Sequence, residues 1–519
     1  MSDLIRKKLP IGIQSFAKLR EGGFYYVDKT AFAVQLANTA GYFFLSRPRR
    51  FGKSLFLDTL KEMFEGNEPL FRGLYVHDKW NWASRFPVIR ISFGGGVLQT
   101  LVDLQQILHR QLEKHERQFD LPARYPDQRS RLADLIERLH GQTGQRVVVL
   151  VDEYDKPILD QIDHQEIAIA MREALKDIYS VIKDQDASIR FAFLTGVSKF
   201  SKVSLFSGLN NLEDITLDPA YSAICGYTDA DVSTVFSPEL PGLEREQIRR
   251  WYNGYGWRGE SVYNPFDLLL LFQKREYKAW WFETATPGFL LKLMAERGFF
   301  TPRLANLHTG EALLTTFDVE HISTEALLFQ SGYLTIHAEL HPDTGVTNFI
   351  LGYPNREVET SMNNSLLASY TGDANQSHQH REQLRTLLRT PDLAALRDLF
   401  QAFFASIPHH WFTNNPIARY EGYYASVFYS YFAALGYDVI VEDATNHGRI
   451  DMTVKLPDRI YLFEFKVVEL LPDGRALQQL QDKAYADKYR SSGLPLILIG
   501  VEFSREARNI AGFEVASDI

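Results

Sequence analysis

Gly41-Tyr42-Phe43-Phe44-Leu45-Ser46-Arg47-Pro48-Arg49-Arg50-Phe51-Gly52-Lys53-Ser54 joins a short apolar strand to a basic loop. A helical pattern follows, with Leu55, Leu57, Leu60, Met63 and Phe64 at roughly helical spacing. Strand, loop and helix in that order are the setting in which a phosphate loop works. Backbone N–H groups at a helix start point at an anion, and the helix dipole adds to the attraction. Lys53 can then reach the β and γ phosphates of a nucleotide, and the Ser54 hydroxyl can hold Mg²⁺. One position departs from the usual pattern. Counting back five from Gly52 lands on Arg47, where glycine is expected. Pro48 also lacks an N–H. Arg47, Arg49 and Arg50 are expected to compensate with charge and forked hydrogen bonds. A basic, solvated helix start would carry the same residues, so the loop needs a counterpart.

Val147-Val148-Val149-Leu150-Val151 supplies it, a strand of five apolar residues that ends in Asp152-Glu153. In an open parallel sheet the carboxyl ends of the strands are where ligands bind. A nucleoside triphosphatase needs one carboxylate for the Mg²⁺ shell and one to polarise the attacking water. Asp152 suits the first role and Glu153 the second. The strand Phe191–Thr195 should end beside them, with Thr195 and Ser198 placed to sense the γ-phosphate and Lys199 as a charge partner. Pro87–Phe93 and Leu212–Leu217 read as further strands. Helical stretches near 101–140 and 165–184 lie between strands, so the sheet should be parallel and covered on both faces.

Around this nucleus lie 519 residues, three to four domains by length. The chain is 45% hydrophobic, 23% charged and 13% aromatic, as an ordinary globular protein is. Its formal charge is 56 − 65 = −9, which argues against a protein that coats nucleic acid by bulk charge and leaves room for local basic sites. Cys225 is the single cysteine, so neither a disulfide within the chain nor a Cys-rich zinc site is expected. The start MSDLIRKKLP lacks a signal-peptide pattern and no run of 18 apolar residues occurs, so a cytoplasmic protein with no membrane span is expected. The stretch from about 220 to 375 reads as helix and loop. Residues 371–382 read as a polar linker or surface loop.

The tail carries a second constellation. Gly448-Arg449-Ile450-Asp451-Met452 precedes Tyr461-Leu462-Phe463-Glu464-Phe465-Lys466-Val467. Glu464 and Lys466 share one face of a strand, and Phe463, Phe465 and Val467 take the other. Burying an acid and a lysine on a sheet face is costly unless they pair or hold a metal. Asp451 and Glu464, from adjacent strands, can converge on Mg²⁺ or Mn²⁺, hard cations that favour oxygen ligands. Lys466 can orient water and stabilise phosphorane charge. Glu421, at the start of a helix, is a further carboxylate candidate. Gln479 or Gln481, on the helix after the strand, supplies an amide, and Gln479 is the favoured one. An ion pair on a charged edge strand would use the same Glu464 and Lys466.

The motifs SRPRRFGKSLFLDTLK, VVLVDEYDKPI, FLTGVSKFSKVSLFSGLNNLEDITL and WYNGYGW…VYNP, with Tyr26-Val27-Asp28-Lys29-Thr30, resemble the AAA-ATPase-like family of bacteria and archaea over residues 5–270. In that family the arginine-rich loop replaces the first glycine. The tail from 385 to 519 resembles the PD-(D/E)XK nuclease superfamily, and more narrowly the C-terminal domain that accompanies this ATPase-like family. Matched by motif, Glu421, Asp451, Glu464, Lys466 and Gln479 fall on its active-site positions. Asp451 follows Gly-Arg-Ile where some members have proline before the acid. The resemblance implies an α/β protein: a P-loop-type parallel-sheet ATPase domain over 1–218, a mainly helical middle over 219–375 and a restriction-endonuclease-like α/β domain over 376–519. It implies ATP and Mg²⁺ or Mn²⁺ as cofactors. Arg49, Arg50, Gly52, Lys53, Ser54, Asp152, Thr195 and Ser198 would hold the nucleotide. Nucleic acid, with DNA expected, would be the substrate of a homo-oligomer working in defence or mobile-element processing. The alternative is a nucleotide-switched binding protein that grips nucleic acid or protein without cutting.

Overall fold

The computed structural model describes residues 6–39, 41–199, 211–282, 290–291, 293–294, 301–311, 314, 323–340, 347–371, 374–389, 392–406 and 421–518. They divide into two compact units, 1–285 with 308–355, and 286–307 with 356–519.

The first unit is built on strands β1 (Tyr42–Ser46), β2 (Val88–Ser92), β3 (Val147–Asp152), β4 (Ile189–Gly196) and β5 (Leu212–Asp214). They lie in the order β2-β3-β4-β1-β5 with every pair parallel. All six residues of β3 are buried, as its unbroken valine run requires. The ends of β1 and β3 flank the end of β4, so the loop after β1 and the acids after β3 emerge roughly 10 Å apart at one edge. Helix Lys53–Phe64 follows β1 and buries Phe56, Leu57, Leu60, Met63 and Phe64. The stretch 101–140 forms two helices, Leu101–Gln118 and Gln128–Thr143. Pro122 and Pro126 separate them, and the Asp127 side chain caps the second by accepting Ser130 N–H.

Residues 308–355, read as part of a helical middle, group with this unit and contain strands. Strands β6 (Leu307–Gly310), β7 (Thr335–Leu340) and β8 (Asn348–Gly352) form a small sheet in the order β6-β8-β7. β7 and β8 pair antiparallel. The alternating Thr-Ile-His-Ala-Glu-Leu of β7 is strand periodicity, masked in sequence by the helical stretches around it.

The second unit holds a five-stranded mixed sheet: β9 (Asp438–Thr445), β10 (Gly448–Lys455), β11 (Ile460–Val468), β12 (Leu496–Ser504) and β13 (Asn509–Asp518), in the order β13-β12-β11-β10-β9. Only β11 and β12 pair in parallel. Helix Glu421–Ala434 covers one face, where Phe428 and Phe432 meet Phe463 and Phe465. Ile450, Leu462, Leu480, Tyr485 and Leu498 form the core on the other face, which helix Arg475–Asp482 covers. The expected linker at 371–382 instead enters helix Ala374–Arg389. Leu384 and Leu388, one turn apart and fully buried, anchor that polar helix.

Candidate functional sites

A cavity of about 630 Å³ opens at the edge of the parallel sheet. Arg49, Arg50, Gly52, Lys53, Ser54, Glu153 and Asp155 are among the residues that line it. Gly52 has φ 96°, a conformation that suits glycine, and caps the helix with no side-chain partner. Phe56 N–H donates to Gly52 O and opens the helical ladder, so the helix start presents open donors, as an anion site requires.

Arg47 overturns the expectation that three arginines serve the phosphates. Its side chain is fully buried and donates to the carbonyls of Ser46, Thr216 and Tyr221 at 2.9–3.0 Å. It also stacks on Trp257 at 4.1 Å. Burial pushes its pKa down to about 10. The loop is braced further along. Pro48 packs where a β-carbon at Gly332 would stand, Trp281 donates to Arg49 O, and Phe51 packs edge-on against Tyr255 and Trp257. The loop therefore draws from tertiary contacts the shape that glycines give elsewhere. Arg49 and Arg50 remain on the cavity wall, Arg50 lying over the Phe266 ring.

Lys53 is buried, and its ammonium donates to Arg47 O at 2.9 Å and Pro48 O at 2.8 Å. Burial lowers its pKa, against the charges of Cys225, Asp152, Asp155 and Glu153. Asp152 is buried at the end of β3, where Arg90 Nη2 stands 3.6 Å from Oδ2. Its Oδ1 is buried with no partner among the described residues. Arg90 also pairs with Asp58 on the helix that Lys53 begins. Glu153 adopts φ 53°, turning sharply out of the strand.

Thr195 and Ser198 are not brought to this cavity. β4 runs on to Gly196, so Thr195 lies inside the ladder and gives its hydroxyl to Leu45 O at 2.9 Å. Ser198 is buried, with its N–H on Asp155 and its carbonyl on Tyr154. Lys199 pairs with Asp214. Asp155, quoted in the motif but given no role from sequence, is the group that ties this corner together. It is fully buried and accepts N–H bonds from Val197 and Ser198. Burial raises its pKa to about 6. The folded state therefore holds this proton more tightly than the unfolded chain, and stability falls as pH rises from about 4 to 6. Asp155→Asn should raise the melting temperature at pH 8 and leave it unchanged near pH 3.5. Thermal unfolding across that range checks the sign.

The tail brings four of its five expected residues to one place. The β10–β11 ladder runs from Lys455↔Ile460 to Met452↔Phe463, so Asp451 and Glu464 come next. There the Asp451 side chain, not the backbone, accepts Phe465 N–H at 2.8 Å. Glu464 is fully buried. Lys466 Nζ and Gln479 Nε2 both donate to Glu464 Oε1, the first at 3.2 Å. Gln481 is exposed, which leaves Gln479 as the glutamine of the site. Glu464 Oε2 is buried with no partner among the described residues. The Glu421 backbone begins its helix as expected, but its side chain lies outside the described residues. Among the described residues no group of three His, Cys, Asp or Glu side chains is arranged to hold a metal ion. The set that does form is two carboxylates, with Lys466 and Gln479 on one oxygen of Glu464 and its other oxygen buried and orphaned. Those hard oxygen donors fit Mg²⁺ or Mn²⁺.

Burial, then the nearby Asp451 charge, raises the Glu464 pKa to about 7. A carboxylate must be ionised to take a cation. A Mn²⁺ ion held by Glu464 would therefore bind about tenfold more weakly per pH unit below 7, with affinity levelling off above it. Isothermal titration at pH 5.5, 6.5 and 8 measures this. Equal affinity at all three would show that Glu464 does not hold the cation.

Residues 10–206 match the family described as Predicted AAA-ATPase, and residues 419–513 match the PD-(D/E)XK nuclease superfamily. Over 513 residues the chain is 60% identical to the "Uncharacterized protein in vnfD 5'region" of Azotobacter chroococcum mcd 1, covering 99% of each chain. No helix among the described residues is long and apolar enough to cross a membrane.

Proposed function

This chain belongs to the AAA-ATPase-like family that carries a C-terminal PD-(D/E)XK nuclease superfamily domain, and from that premise we propose an ATP-binding, ATP-hydrolysing protein whose tail cuts phosphodiester bonds in DNA. The observation that carries the nuclease reading is the buried, unpartnered Oε2 of Glu464 beside Asp451, with Lys466 and Gln479 fixed on its other oxygen. A structural ion pair would satisfy both oxygens.

In the tail, Asp451 and Glu464 would hold the divalent cation, which when bound supplies Lewis-acid polarisation of the phosphate and of an attacking water. Gln479 orients the Glu464 carboxylate. Lys466 stands where its ammonium can hold water or offset charge that grows on the phosphate. At the other site the helix start and Lys53 bind the phosphates, with Arg49 and Arg50 adding charge at the wall. Ser54 and Asp152 would hold Mg²⁺, and the orphaned Asp152 Oδ1 fits that role. Glu153, turned out of the strand, orients the water. Glu153→Gln should keep ATP affinity within about threefold and cut hydrolysis by roughly 100-fold or more. Phosphate release alongside nucleotide titration separates the two quantities.

A cleavage panel tests the proposal: linear, circular and single-stranded DNA and RNA, each with Mn²⁺ and with or without ATP. Cleavage of DNA that Glu464→Ala abolishes supports it. Salt-sensitive DNA binding without cleavage would instead make the chain a nucleotide-switched binding protein. Cleavage of RNA alone would change the substrate.

A further inference from the structure

β12 reads Leu-Ile-Leu-Ile-Gly-Val-Glu-Phe-Ser, and every one of its residues is buried. A carboxylate in such a strand is costly unless its oxygens are satisfied. Glu502 is 2% exposed. Its Oε2 accepts the N–H groups of Asp473 at 2.7 Å and Gly474 at 3.1 Å, and its Oε1 accepts Ala476 N–H at 3.2 Å. Gly474 and Ala476 N–H are among the orphan donors at the start of helix Arg475–Asp482, and Asp473 N–H lies just before them. That helix has Gly474, which has no side chain, at its cap; Asp473 Oδ1 accepts Arg475 N–H at 3.2 Å, and the N–H groups on either side go to Glu502. Most helices find a local serine or aspartate for this task. A local cap would stabilise the helix but would not tie it to the sheet.

The tie has a consequence one turn on. Gln479 follows Ala476 by three residues and so lies on the same face. It is the residue that donates to Glu464 Oε1. On the sheet, Glu502 pairs with Lys466 in the parallel register, and Gly500 pairs with Glu464. A β-carbon at Gly500 would run into the backbone N of Leu477. The missing side chain therefore lets the helix backbone descend beside Glu464, while Glu502 pins its end. Two residues of β12 on one strand face, Gly500 and Glu502, thus fix the height and the anchor of the helix that carries the glutamine.

We propose that Glu502 is a positioning residue of the metal site: by holding the start of helix Arg475–Asp482 it keeps Gln479 on Glu464 and so sets the orientation of the metal-facing oxygen. The inference rests on the metal-binding nuclease reading above. Removing a group that orients a ligand typically costs 10- to 100-fold in metal affinity.

The experiment uses the full chain and Mn²⁺ alone as probe. Mn²⁺ affinity is measured by titration calorimetry for the wild type, Glu502→Ala, Gln479→Ala and the double variant. Amide exchange over 473–476 and cleavage are followed in parallel. Glu502→Ala should weaken Mn²⁺ at least tenfold, match Gln479→Ala, and add little to it in the double variant. The amides of Asp473, Gly474 and Ala476 should exchange faster. Glu502→Gln, which keeps the shape and one acceptor oxygen, should give an intermediate loss and guards against a variant that fails to fold. Unchanged Mn²⁺ affinity in a folded Glu502 variant, or fully additive losses, would overturn the proposal, because a merely structural role changes the folded fraction and not the affinity. If the wild type binds Mn²⁺ but cuts nothing, the nuclease reading fails while the affinity comparison still decides the role of Glu502.

Discussion

Glu464→Gln is expected to abolish metal-dependent cleavage, by about 1,000-fold or more, and at the same time to make the metal-free protein harder to melt. The two effects have one cause. Glu464 is fully buried, and its pKa is raised to about 7, above the ordinary 4.5. A group whose folded pKa is raised holds its proton more tightly in the folded state. Stability thus falls as pH climbs from 4.5 to 7, and the deficit is complete above that. A tenfold difference in proton affinity between the folded and unfolded chain is worth roughly 1.4 kcal/mol, so the burden at pH 8 is a few kcal/mol at most. Glutamine is neutral at every pH and keeps a carbonyl oxygen for Lys466 and Gln479 to donate to. The melting temperature of Glu464→Gln should exceed that of wild type by several degrees at pH 8 and equal it near pH 4. Saturating Mn²⁺ should close or reverse the gap, because only the wild type gains binding energy from the cation. Calorimetry at two pH values, with and without Mn²⁺, reads all four conditions. A variant that melts lower at pH 8 would show that Glu464 is held as part of a stabilising ion pair.

Lys53→Ala should weaken ATP binding by about 100-fold and leave the melting temperature within a few degrees. The lysine ammonium now holds the carbonyls of Arg47 and Pro48. A nucleotide phosphate offers it a full negative charge in their place. One such charge-assisted bond is worth roughly 1.5–3 kcal/mol, and 2.8 kcal/mol is about a hundredfold. The alanine leaves two loop carbonyls without a donor but also removes a buried cation whose pKa burial already depresses. Those effects oppose each other in stability and not in binding. Titration with a fluorescent ATP analogue gives the affinity. Affinity within threefold of wild type would sink the assignment of this helix start as a phosphate site. Lys53→Arg should retain only part of the affinity, since the guanidinium cannot fit the same compact seat as a point charge.

What sequence reveals here follows the reach of each interaction. Gly52, Lys53 and Ser54 are legible because their chemistry depends on local backbone: a strand, a turn and a helix start. Asp451, Glu464 and Lys466 are legible because strand alternation places them on faces without knowledge of the rest. Arg47 is not, because its acceptors lie up to 174 residues away. Thr195 is misplaced by sequence because its strand continues past the apolar run to Gly196, which turns a strand-end hydroxyl into a ladder hydroxyl. The motif WYNGYGW shows no local sign of its part in the site, yet its Tyr255 and Trp257 brace the phosphate loop through Phe51. The strand β13 and the role of Glu502 stay hidden for a related reason. An acid in an apolar strand says that it needs partners but not which ones.

The buried guanidinium of Arg47 also bears on what can be moved from one protein to another. A loop shaped by its own glycines is portable, because its conformation travels with its residues. This one is not. Residues 47–54, grafted after a strand in another scaffold, would bring lysine and arginine charge but none of the carbonyls of Thr216 and Tyr221 or the face of Trp257. For the same reason, a fragment cut at residue 218 would keep the Thr216 acceptor and lose the other two. Such a fragment would carry every signature residue of the site in its sequence and lack the mould that gives them their arrangement.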